Sequence, residues 1–171
     1  MQAFGLGAFL TQHASCFFPN GKHILKGQTV ACTLWGIYWL MLGLPAVAGI
    51  CFIAAVRNII SSSLSAHHLK PFNVFITALM MLNVVYLWQG LIDALLIFIQ
   101  LTVFMRVTSR DNLPRFHAWG SVTSILWLAY SLEHGAIFGA LNEIVGFTVY
   151  MSAYLMIYYK THIRRSAPLP A

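Results

Sequence analysis

Charge is what this chain has least of. Only 8% of its 171 residues are charged, four acids and ten bases, where a soluble domain carries about 25%. So few ionic groups cannot cover a water-soluble globule of this size. With 59% hydrophobic residues and a mean hydropathy of +0.74, most of the surface is expected to face lipid. The shortage of acids leaves too few for a paired-carboxylate site. There is no Ser/His/Asp set, no H-E-x-x-H and no G-x-x-x-x-G-K-[ST], so an enzyme is not expected. Polar sequence is equally short. The length suits six or seven spans of roughly 20 residues with very short loops, and leaves no room for a soluble catalytic domain.

Cysteine is scarce too. Cys16, Cys32 and Cys51 are odd in number, lie within apolar runs and lack C-x-x-C spacing, which reads as small apolar filling. His67-His68 has no third ligand in reach, so neither metal nor cofactor is expected. The N-terminus lacks a basic segment and a small-residue cleavage site, so the first apolar run is expected to persist as a span. The net charge of +6 does not point to nucleic acid, because the bases fall in small clusters between apolar runs rather than in one stripe.

What the chain does have is seven apolar runs, at about 3–18, 27–44, 46–64, 72–88, 91–107, 116–132 and 136–159. Pro19-Asn20-Gly21, Pro45 and Lys70-Pro71 are among the breaks. The bases decide the topology. Lys22 and Lys26 follow span one, and Arg57 and Lys70 belong to the end of span three and its loop. Arg106, Arg110 and Arg115 lie between spans five and six; Lys160, Arg164 and Arg165 follow span seven. The other loops carry none. Basic loops resist translocation, and seven spans put all ten bases on one side. The expectation is an all-α integral membrane protein with its N-terminus outside and its C-terminus in the cytoplasm.

Spans two and six share a pattern. Leu34-Trp35-x-x-Tyr38-x-x-x-x-Gly43 matches Leu126-Trp127-x-x-Tyr130-x-x-x-x-Gly135 at an offset of 92 residues, which also relates Ala48 to Ala140. Spans one to three and five to seven both start outside and cross three times, and span four supplies the extra crossing between them. The expected architecture is a 3+1+3 parallel repeat, with units at 1–66 and 90–171 and a linker helix at 67–89.

At this point the first half resembles the YgjV-type family of bacterial inner-membrane proteins. The resemblance is carried by Ala8-Phe9-Leu10, Ser15, Phe17-Phe18, Gln28, Leu34-Trp35, Gly43 and Arg57-Asn58. In the second half, Gly135, Gly139 and Glu143 fall where that family has glycines and an acid; Tyr38 stands where it often has a histidine. The helix layout of that family is similar to the 3+1+3 of SWEET and PQ-loop sugar and vitamin carriers. The resemblance therefore implies an inner-membrane small-solute carrier. The proline-glutamine pair of the PQ-loop carriers is absent: Gln12 and Gln100 lack a preceding proline.

Polar groups within apolar spans usually face the bundle interior or a water-filled cavity. Glu143 is the sharpest, roughly 12 Å beyond Gly135, where a carboxyl can take up and release a proton during transport. Arg57 lies twelve residues into span three, where snorkelling toward the cytoplasmic face is expected ahead of substrate contact. A direct Arg57–Glu143 bridge would need a helix tilt, since the two differ by roughly 9 Å in depth. Gln12, Asn58, Gln100 and Asn142 can line a cavity or bond between helices. Trp35 with Tyr38 and Trp127 with Tyr130 share helix faces, where they can stack on a ring, pack the core or form an interfacial belt. Asn73 and Asn83 read as solvated or packed, and Ser61-Ser62-Ser63 as a helix end.

The reading is a small-solute transporter or facilitator working by alternating access. Its partners are the bilayer and a small molecule such as a sugar or vitamin, with homo-oligomerisation left open. The rival is a non-transporting scaffold or assembly subunit. A polar cavity reaching Glu143 would favour the first and a dry interior the second.

Overall fold

Long apolar runs punctuated by proline and glycine form helices, because a backbone in lipid must satisfy its own hydrogen bonds. The computed structural model describes residues 2–15, 18, 21–109 and 111–162, without the side chains of 21, 66 and 160–162. Cys16, Phe17, the Pro19-Asn20 break, Arg110, Arg164 and Arg165 lie outside the described residues. Those described form seven α-helices and no strand. They are α1 (Gln2–Ser15), α2 (Gly21–Met41), α3 (Pro45–Ser63), α4 (Ala66–Tyr86), α5 (Ala94–Thr108), α6 (Leu113–Glu133) and α7 (Ile137–His162). A single 3₁₀ turn, Leu91–Asp93, leads into α5.

Local chemistry sets several ends. Pro45 opens α3 in the first turn, where a missing N–H costs nothing. Asn112 caps α6 by accepting from the Arg115 amide at 3.2 Å, with Pro114 behind it. Two starts differ from the sequence reading. α2 begins six residues before 27 and α4 six before 72, so Lys22, Lys26 and Lys70 are helical residues rather than loop residues. Their side chains are exposed: long aliphatic stems let a lysine sit on a helix and still reach polar surroundings. Pro71 lies inside α4, within its second turn.

The turns after α2 and α6 are the same turn. Gly43 has φ 78° and Gly135 φ 61°, in the left-handed region that glycine enters without strain. Around them the Leu44 amide reaches the Trp39 carbonyl at 3.1 Å and the Ala136 amide the Ser131 carbonyl at 2.8 Å. The Gly43 amide bonds Leu40 at 3.0 Å, the Gly135 amide Leu132 at 3.1 Å. Each pair of bonds is related by the 92-residue offset seen in the sequence.

Among the described residues, four segments are long and apolar enough to cross a membrane: Pro45–Ser63, His67–Tyr86, Leu91–Thr108 and Ile137–Tyr159. α2 and α6 are as long as α4, 21 residues each, and carry more polar groups. The distribution of side chains is inverted relative to a soluble protein. Phe75, Leu82, Val85 and Ile137 are more than half exposed, whereas Asn58, Asn73, Asp93, Gln100 and Asn142 are each at or below 2%. Asn73 is therefore packed, not solvated, and Asn83 donates to the Ala46 carbonyl at 2.8 Å.

Each helix packs on the next in chain order, and α1 packs on α7 to close the ring. Tyr38, Trp39, Val47, Leu96, Ile99, Tyr130 and Ala136 form the main apolar core. Beside it, the polar side chains meet.

Candidate functional site

Inside the ring lies a cavity of about 130 Å³. Six helices wall it. α1 gives Gln12; α2 gives Gln28, Cys32, Trp35 and Trp39; α3 gives Cys51, Arg57 and Asn58; α5 gives Gln100 and Arg106; α6 gives Thr123, Trp127 and Ser131; α7 gives Asn142 and Glu143. None of its lining residues comes from α4. Eight of the ten residues singled out from the sequence are thus brought together. Tyr38 and Tyr130 are not: they sit in the apolar core, 2% and 0% exposed. Their i, i+3 partners Trp35 and Trp127 keep the edge-on contact expected of a shared face, with ring centroids 5.5 and 5.9 Å apart. The tyrosines lie one turn nearer the glycine turns, where core packing takes over.

Arg57 does not snorkel. It is 7% exposed, and its Nε and Nη2 donate to Asn58 Oδ1 at 3.2 and 3.0 Å. Asn58 in turn donates to Cys32 Sγ at 3.6 Å, so this cysteine is a hydrogen-bond acceptor as well as apolar filling. The second half carries an analogous neighbour pair: Asn142 Nδ2 donates to Glu143 Oε1 at 2.7 Å, and Ser124 of α6 bonds the same carboxyl. Glu143 is half-buried and forms part of the cavity wall. Arg57 and Glu143 share the cavity, but each bonds its chain neighbour rather than the other.

The polar lining is only partly satisfied. Trp35 Nε1 donates to Gln12 Oε1 at 2.7 Å, tying α2 to α1, and Thr123 Oγ1 donates to Thr102 Oγ1 at 2.9 Å. His13 of α1 bonds Asn142 of α7. Gln100 Nε2 and Ser131 Oγ are buried without a hydrogen-bond partner. Such atoms cost free energy unless water or a ligand meets them.

Three residues lie outside the sequence reading of the site. Arg106 counts there as a loop base. It closes α5 instead and turns inward, its guanidinium 4.5 Å from the ring centroids of both Phe116 and Tyr150, with Nη2 donating to Tyr150 Oη at 2.7 Å. Asp93 is 2% exposed. It accepts from Tyr130 Oη at 3.0 Å and from the Gln89 amide at 2.7 Å. The sequence does carry a signal for it: Asp93 precedes Gln100 by seven residues, two helical turns, and so shares its face. Trp39 is a third such residue. It stacks on Trp127 across the ring, centroids 6.3 Å apart and planes at 22°, joining α2 to α6.

A family described as bacterial inner membrane protein, Imp-YgjV, matches residues 1–161. The chain belongs to that family. It is accordingly a bacterial inner-membrane protein, in keeping with its long apolar helices. Neither the curated proteins nor the solved structures hold a match to it. The family fixes a place in the cell; what the cavity does must be argued from its own chemistry.

Proposed function

We propose that this protein is a small-solute transporter of the inner membrane, with the cavity as its substrate site. One observation carries the reading: six helices converge on a cavity whose mixed polar and aromatic wall reaches Glu143 and leaves buried hydrogen-bonding atoms unpaired. A scaffold held together by its interior would be better served by satisfied or apolar packing.

The proposed architecture is seven spans in a 3+1+3 repeat. The matching turns at Gly43 and Gly135 and the exclusion of α4 from the cavity wall support two three-helix units around one site. Rocking of one unit on the other gives alternating access. The proposed orientation, N-terminus periplasmic and C-terminus cytoplasmic, follows from the loop bases. The inward turn of Arg57 and Arg106 leaves eight bases to carry that rule. A reporter active only in the periplasm, fused after Ala171, should stay silent and one inserted at Gly43 should be active; the reverse pattern overturns the orientation.

Glu143 is the proposed proton carrier. The titratable and charged groups that share the cavity with it are Arg57 and Cys51 on α3, Cys32 on α2 and Arg106 on α5, with His13 of α1 facing its neighbour Asn142. In liposomes, uptake by the wild type should rise with an inward proton gradient. Glu143→Gln should abolish that response while leaving the amount of folded protein unchanged. Uptake by the variant that still follows the gradient removes Glu143 from the coupling step.

A further inference from the structure

Two guanidinium groups and one carboxyl line the cavity. Among the described residues neither arginine bonds an acid directly: Arg57 is held by a neutral amide, and Arg106 by a phenol and two ring faces, with Glu143 attracting Arg106 across the cavity. A buried cation in a low-dielectric interior is costly unless an anion meets it. Asn58 occupies only Nε and Nη2 of a group with five N–H donors, so it aims the guanidinium without neutralising it. Gln100 Nε2 adds an unpaired donor to the same wall, and Ser131 Oγ a hydroxyl that can donate or accept. With two guanidiniums to one carboxyl, positive charge is in surplus. The occupant that balances this wall carries an oxyanion.

The rest of the wall is aromatic. Trp35, Trp39 and Trp127 all line the cavity, and Trp39 and Trp127 present a stacked pair of indoles. A bare inorganic anion would make no use of the indole edges and apolar surface in this wall, and a neutral sugar would leave the arginine uncompensated. The volume of about 130 Å³ is close to that of an engineered cavity of about 150 Å³ that accepts benzene. It suits one six-membered ring with a small substituent.

We infer that the substrate is a small cyclic organic anion, its carboxylate or like group on the Arg57 guanidinium and its ring against the cavity tryptophans. This rests on the transport reading for its role as cargo, and on the cavity wall alone for its chemistry. Bidentate pairing of a guanidinium with a carboxylate gives geometric selection as well as charge.

The test uses the purified protein in nanodiscs and reads tryptophan fluorescence during titration with benzoate, benzamide, benzylamine and acetate. Benzoate should quench saturably. Benzamide, its neutral isostere, should bind at least about tenfold more weakly, and benzylamine and acetate should leave the signal unchanged. Arg57→Gln should bring benzoate down to the benzamide level, with Arg57→Lys intermediate. If Arg57→Gln does not fold, the wild-type series of four compounds decides. The inference is overturned if benzamide or benzylamine matches benzoate, if no compound binds, or if Arg57→Gln leaves benzoate binding intact. Liposome flux separates the two claims. Benzoate binding without flux of any ring anion contradicts transport and leaves the anion site standing; flux of neutral solutes without benzoate preference does the reverse.

Discussion

Among the described residues, Asp93, Glu143, Arg57 and Arg106 are turned into the bundle, and each meets a different kind of partner. Asp93 is held by a phenol and a backbone amide, Glu143 by Asn142 and Ser124, Arg57 by Asn58, and Arg106 by two aromatic faces and a hydroxyl. Of the four, only Asp93 lies outside the cavity wall, so its role reads as structural. Tyr130→Phe removes the donor to Asp93 Oδ1 and leaves an acceptor stranded, at a cost of about 1–3 kcal/mol. Reversible unfolding in mixed detergent should show that loss with no change in solute binding. A variant as stable as the wild type would mean that water already satisfies the acid. At this scale much of the site is legible in the sequence. Glu143, Asn142, Arg57, Asn58, Gln12 and Gln100 stand out because a polar group inside an apolar run has few places to go but inward. Arg106 does not, because nothing local separates it from Arg110 and Arg115; its hydroxyl partner, Tyr150, is 44 residues away in sequence. Ser131 and Thr123 are invisible for another reason. Hydroxyls in helices commonly bond back to the preceding turn, as Thr123 does to the Trp119 carbonyl at 2.8 Å, so their presence signals nothing.

Between elements, the glycine turns are where sequence and geometry agree most closely. A methyl group added at Gly43 or Gly135 would meet no atom within 4 Å, so only backbone strain opposes a side chain there. Gly43→Ala and Gly135→Ala should each destabilise by about 1–2 kcal/mol, and by similar amounts, measured in the same unfolding assay. A large cost at one and none at the other would contradict the equivalence of the two turns. Helix starts are less legible. Lys22, Lys26 and Lys70-Pro71 resemble loop sequence by composition, yet α2 and α4 run through them. A lysine can extend its stem along a helix while its ammonium stays outside, and a proline near a helix start removes a single bond. The pattern of charges therefore marks which loops are basic more surely than where the helices begin.

At the scale of the whole molecule, the seven helices of the described residues close in chain order into a ring around the cavity, with α4 outside its wall. The seven apolar runs and the 92-residue offset can be read from sequence. The cavity cannot, because its size depends on how far six helices stand apart, and no run of residues records that. The central claim is that this space is a path for solute, and thiol access tests it most directly. In a background with Cys16 and Cys32 changed to serine, Cys51 and, separately, Ser131→Cys with Cys51 also removed would each report on the cavity. A membrane-impermeant thiol reagent should label both positions from at least one face of oriented vesicles, with a permeant maleimide confirming that each thiol reacts. Labelling by the permeant reagent alone, at both positions and from both faces, would mean a sealed interior and contradict the account.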